Sequence, residues 1–120
     1  MPMDTVRTIL DRLGATPVAG MSPNERHVVS VAGHEDLAIE KTAPARLSVG
    51  HRPAEGGPRR NPEVVFRTEN DAWIPIEFTD RPAIHRYDAT GVDVGPRLSQ
   101  WNRRLRRLGF VASATSGRGN

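Results

Sequence analysis

The chain has 120 residues, a hydrophobic share of 37%, ten prolines, eleven glycines and only six aromatic residues, so a single domain with much loop and a thin core of Leu, Val and Ile is expected. It contains no cysteine, which excludes disulfides, thiolate zinc sites and a cysteine nucleophile and fits a reducing, cytoplasmic setting. No apolar run approaches the ~20 residues of a membrane span, the start MPMDTVRTILDRLG lacks the basic and apolar regions of a signal peptide, and no membrane association is expected. Lys41 is the only lysine, and residues 1–93 carry a net charge of −3 whereas residues 94–120 carry +6 with no acid. That asymmetry points to an anionic partner for the C-terminal end.

In chain order, residues 4–14 read as a helix. Asp4 is placed to cap its first amides, Val6, Ile9, Leu10 and Leu13 recur along one face, and Gly14 supplies a left-handed exit. Residues 15–35 carry little periodicity beyond a short strand-like run at 27–33. Alternation then marks strands at 36–40, 46–52, 63–68, 73–78 and 83–87, with a hairpin across KTAPA and an exposed loop at PAEGGPRRNP. Within WIPIEF, Ile74, Ile76 and Phe78 alternate with Trp73, Pro75 and Glu77. Pro75 has no N–H to give a ladder, so this strand lies at an edge or carries a bulge.

A second helix starts near Pro96 and ends at Leu108, with Gly109 beyond its end and Phe110 folding back. Residues 1–110 are expected as one domain and 111–120 as a disordered tail. The fold class that follows is α+β: an antiparallel, meander-like sheet of about four to five strands with an N-terminal and a C-terminal helix packed on one face.

Residues 47–75 resemble a family of small uncharacterised domains encoded on bacterial plasmids, phages and integrative elements. The resemblance is carried by Val49, Gly50 and His51, by Gly56 and Gly57, by Asn61, Pro62, Glu63 and Phe66, and by Trp73 and Pro75. It extends weakly from Leu37 to Phe110. Arg52 stands where that pattern has an aromatic residue, and Asn61 where it has an acid. The resemblance implies the setting of a mobile-element accessory protein and no particular reaction.

Two groups of residues carry the candidate chemistry. His51 and Glu63 lie on neighbouring predicted strands, where an imidazole and a carboxylate could serve acid–base work. The alternative is that His51 bonds a loop carbonyl and Glu63 is an exposed strand residue. The four histidines show no metal-ligand spacing, and PAEGGPRRNP lacks the Gly-Lys-Ser/Thr ending of a phosphate loop. No cofactor, metal or catalytic residue is expected.

The second group is the arginines of the C-terminal helix. At ~100° per residue, Leu98, Trp101, Leu105 and Leu108 form one stripe, so Trp101 is expected to be buried rather than displayed for base stacking. Arg103, Arg106 and Arg107 lie opposite, with Arg97 and Arg104 at the flanks. These five, with Arg59 and Arg60, form a candidate surface for nucleic acid or another anionic partner. A plain solvated face and a membrane-surface helix are the alternatives. The expected function is a non-enzymatic interaction protein that binds and modulates a host or element-encoded protein, including inhibition of a defence system. Nucleic-acid binding through the basic helix is the alternative, and the oligomeric state is left open.

Overall fold

The computed structural model describes residues 3–52, 60–69 and 72–114. Its architecture is an antiparallel sheet in the order β1-β2-β3-β4-β5-β6 with helices on one face. The strands are β1 (Arg26–Val29), β2 (Leu37–Ala43), β3 (Arg46–His51), β4 (Glu63–Glu69), β5 (Ala72–Asp80) and β6 (Ile84–Tyr87), and the helices are α1 (Asp4–Arg12), α2 (Gly95–Leu108) and α3 (Phe110–Ser113). The α+β class is as expected. Among the described residues the strand count is six rather than four to five, because β1 pairs fully with β2 despite its weak pattern.

Each strand follows its neighbour in sequence, so alternation alone decides which side chains meet the helices. Leu37 and Ile39 of β2, Leu47 and Val49 of β3, and Val64 and Phe66 of β4 join Ile9 and Leu10 of α1 and Leu98, Trp101 and Leu105 of α2 in one core. β5 departs from simple alternation. Val65 pairs with Glu77 while Phe66 pairs with Pro75, leaving Ile76 as an extra residue. This bulge sits in an interior strand and resolves the question that Pro75 raises. It also shifts the alternation by one, so Trp73 and Phe78 both join the core. The expected grouping of Ile74, Ile76 and Phe78 against Trp73 is corrected by that single residue.

Three local expectations change. Asp4 begins α1 but makes no side-chain cap; Asn102 of α2 does this, its Oδ1 accepting the Thr5 N–H at 2.7 Å while the Thr5 hydroxyl donates to the Asn102 carbonyl at 3.0 Å. Gly14 and Gly109 do take the left-handed conformation, with φ of 74° and 98°. Beyond Gly109 the chain does not fray at residue 111: α3 follows, Phe110 and Ala114 are buried, and Arg12 Nε donates to the Ala114 carbonyl at 2.9 Å. The rest of the expected tail, 115–120, lies outside the described residues. Residues 15–35 contribute a 3₁₀ turn at Val18–Gly20 and strand β1. The turn is tethered by the buried Lys41, whose Nζ donates to the Val18 carbonyl at 2.8 Å.

Candidate anion-binding cleft

His51 and Glu63 do not form a pair. Glu63 is registered against Gly50, so it shares that residue's face of the sheet, and His51, one step along β3, points to the helix face. There the His51 ring packs against Trp101 and Phe110, with ring centres 5.6 and 5.7 Å apart. Trp101 Nε1–H donates to His51 Nε2 at 3.1 Å. Because an indole N–H can only donate, Nε2 is the bare nitrogen, and Nδ1–H donates to the Glu35 carbonyl at 3.2 Å. Burial holds the His51 pKa below its ordinary value; the contact with Glu35 opposes that effect and the charge of Arg104 adds to it. His51 therefore serves as packing bonded to a loop carbonyl.

Glu63 belongs to an ion network on the opposite face. Ser48 Oγ donates to Glu63 Oε2 at 2.5 Å, Arg60 Nη2 donates to Glu40 Oε1 at 2.7 Å, and Arg60 Nη1 donates to Ser48 Oγ at 3.2 Å and lies 3.7 Å from Glu63 Oε2. Two corrections follow. Glu63 is half-buried rather than a free strand residue, and Arg60 is taken up by two carboxylates instead of joining a basic surface. Arg59 lies outside the described residues.

The five arginines of α2 are all exposed, and none has an ion-pair partner among the described residues. No acid lies on the helix to neutralise them. Trp101 is buried as expected, at 8% exposure, with its N–H engaged by His51. What sequence periodicity leaves invisible is the neighbour beside the arginines. Arg97, Arg103, Arg104 and Arg107 line a cleft of about 380 Å³ between α2 and the ends of β4 and β5, with Gln100 on the same side of the helix. Arg97, Gln100, Arg104 and Arg107 follow each other at helical spacing and span ~15 Å of axis. Arg106 projects from the far side and does not line the cleft.

Pro62, Phe78 and Asp80 form the strand side. Asp80 follows Phe78 by two residues and so emerges on the same helix-bearing face. Asn61 locks this floor in place: the Arg81 N–H donates to Asn61 Oδ1 at 2.6 Å, and Asn61 Nδ2 donates to the Arg81 carbonyl at 3.4 Å. A carboxylate at 61 could accept the first bond but could not donate the second. An adjoining recess of about 310 Å³, lined by His34, Glu35, His51 and Leu108 among others, shares Pro62, Trp101 and Arg104 with the cleft.

Sequence reasoning finds the arginines but misses Asn61, Pro62, Asp80 and Gln100. The alternation from Phe78 to Asp80 was the available signal; the register that brings the strand ends beside α2 was not. Among the described residues, no three metal-ligating side chains converge, and no helix is long and apolar enough to cross a membrane. No protein-family model, curated protein or solved structure matches the chain.

Proposed function

We propose that the chain is a non-enzymatic binding protein that holds a phosphate-bearing partner, a nucleic acid, on the cleft side of α2. One observation carries this reading: four arginines without ion-pair partners among the described residues line the same cleft. A guanidinium presents a planar fork of donors that matches phosphate oxygens two at a time and stays charged at any physiological pH. Four of them along one helix side suit a ligand whose charges repeat along a backbone.

The test is the salt dependence of binding to labelled random-sequence DNA and RNA. If four phosphates are neutralised, affinity falls about 50- to 150-fold between about 50 and about 200 mM salt. Absence of binding to either polymer at low salt would overturn the reading.

A second reading, docking on an acidic protein, is favoured by the burial of the two rings that line the cleft. Phe78 and Trp101 are 3% and 8% exposed, and the Trp101 N–H is turned inward to His51, so neither offers an open face for bases to stack on. Carboxylates suit the same guanidinium forks. The mobile-element setting, and with it modulation of a host or element-encoded protein such as a defence component, rests on the resemblance of residues 47–75. Co-purification of an acidic protein from cells, together with no binding to nucleic acid at low salt, would support this second reading.

A further inference from the structure

We propose that the cleft reads the base as well as the phosphate, and that its ligand unit is a guanine nucleotide, with Asp80 on the base edge and the arginines on the phosphate. The inference rests on the phosphate-binding reading and deepens it. Its starting point is a contradiction in the charge pattern. A cleft shaped only for a polyanion gains nothing from a carboxylate, which repels the charges the arginines attract. Yet Asp80 stands in the wall of this one, half-buried, at the end of β5.

Asp80 is not there to neutralise the arginines, since it makes no ion pair among the described residues. Nor, among the described residues, is it held by another side chain: what fixes it is the backbone, through its pairing with Ile84 and the Asn61 clasp on Arg81. Its two oxygens are therefore both available as acceptors. A ligand that uses both the arginines and Asp80 carries an anionic group and, within the reach of one small molecule, paired hydrogen-bond donors.

Guanine has two adjacent donors on one edge, N1–H and the N2 amino group, which meet the two oxygens of a carboxylate in parallel. Cytosine and adenine each offer one amino group to that geometry. Uracil presents carbonyl oxygens on either side of its single N–H, and these face the carboxylate with like partial charge. A volume of about 380 Å³ falls in the range that holds small ligands, and a wall with more polar than apolar residues selects a polar one. Gln100, on the same helix side as Arg104, adds a neutral donor and acceptor. The pocket chemistry is the same for a free nucleotide and for one guanosine unit within a strand.

The experiment is a calorimetric titration of the whole chain with guanosine monophosphate, uridine monophosphate and inorganic phosphate. In parallel, heptamers of uridine are titrated with and without a single central guanosine. Guanosine is expected to bind at least about tenfold more tightly than uridine, free or within the heptamer. Preference in the free arm identifies a nucleotide ligand, and preference confined to the heptamer identifies a strand.

Asp80→Asn replaces one acceptor by a donor and keeps the size. It is expected to bring guanosine and uridine within about threefold of each other, while inorganic phosphate binds at least as tightly as before because a charge that repels it is gone. Arg104→Gln with Arg107→Gln is expected to weaken guanosine and uridine equally. Equal affinity for guanosine and uridine in both arms would overturn the inference, as would Asp80→Asn leaving the preference intact with an unchanged melting temperature. If the heptamers still bind with steep salt dependence, phosphate binding survives without base reading. If nothing binds at low salt, both readings fall.

Discussion

His51 shows how one side chain can look catalytic and be structural. Its bare Nε2 accepts the Trp101 N–H, so the neutral ring is the form the fold requires. The folded pKa is lowered from 6.5 by burial, with Arg104 adding to the effect. A group with a depressed folded pKa binds its proton more readily when unfolded. Stability from His51 is therefore complete above about pH 6.5 and drains away as the pH falls through the lower folded value. His51→Leu is expected to cost about 1–3 kcal/mol at neutral pH by stranding the indole donor. It should also show a smaller loss of urea midpoint between about pH 7.5 and about pH 5 than the parent chain. Parallel midpoints for the two would refute the assignment. Gly50 offers a sharper steric case on the same strand, since an added Cβ would stand 2.7 Å from Arg60 Cβ and 2.9 Å from the Pro62 carbonyl. Gly50→Ala is expected to lose about 1–3 kcal/mol. Gly20→Ala, which meets nothing within 4 Å, should stay within about 0.5 kcal/mol in the same denaturation series. The sequence marks Gly50 and His51 as unusual through a resemblance, but not what each touches. Arg60 and Trp101 arrive from 10 and 50 residues away.

Elements were legible where they bury one face and obscure where a distant segment completes them. Both main helices follow from apolar spacing and glycine exits, because those signals lie within a few turns of chain. The cap of α1 does not. Asp4 has the right chemistry next to the right helix, yet the amide of Thr5 is satisfied by Asn102, 97 residues later. Asn102→Ala is expected to lower stability by about 0.5–2 kcal/mol, the usual range for a helix cap. Asp4→Ala should cost less, since it removes only a first-turn charge. Chemical denaturation of the two variants decides between the caps, and a larger loss for Asp4→Ala would restore the local one. β5 tells the same story in a sheet. The proline announces an irregularity, but only pairing with β4 shows that Ile76 is the extra residue and that Trp73 and Phe78 share a face. The cleft inherits this limit, since Asp80 takes its side from Phe78 and its place beside α2 from the register of two hairpins.

At the scale of the whole molecule, the charge asymmetry is legible from the sequence, and stability and affinity measured together separate a binding surface from a solvated face. Arg103 stands three residues from Arg106 and four from Arg107, spacings that place like charges side by side on a helix. Each such pair costs about 0.2–0.5 kcal/mol at low salt, and no acid on α2 offsets it. Arg103 also lies before the last turn, where Arg106 and Arg107 gain from the helix dipole. Its removal therefore forfeits little. Arg103→Gln keeps a good helix former in place, and is expected to raise stability by about 0.4–1 kcal/mol in dilute buffer. The gain should vanish near 1 M salt, where the Debye length shrinks to ~3 Å. The same substitution should weaken binding to random-sequence nucleic acid at low salt and reduce its salt slope by about 0.7–0.9, the share of one phosphate contact. Opposite movements of stability and affinity in one variant are what a surface held charged for a partner requires. A face charged only for solubility shows the stability gain alone. Loss of stability on Arg103→Gln would instead mean that the arginine is paired within the fold.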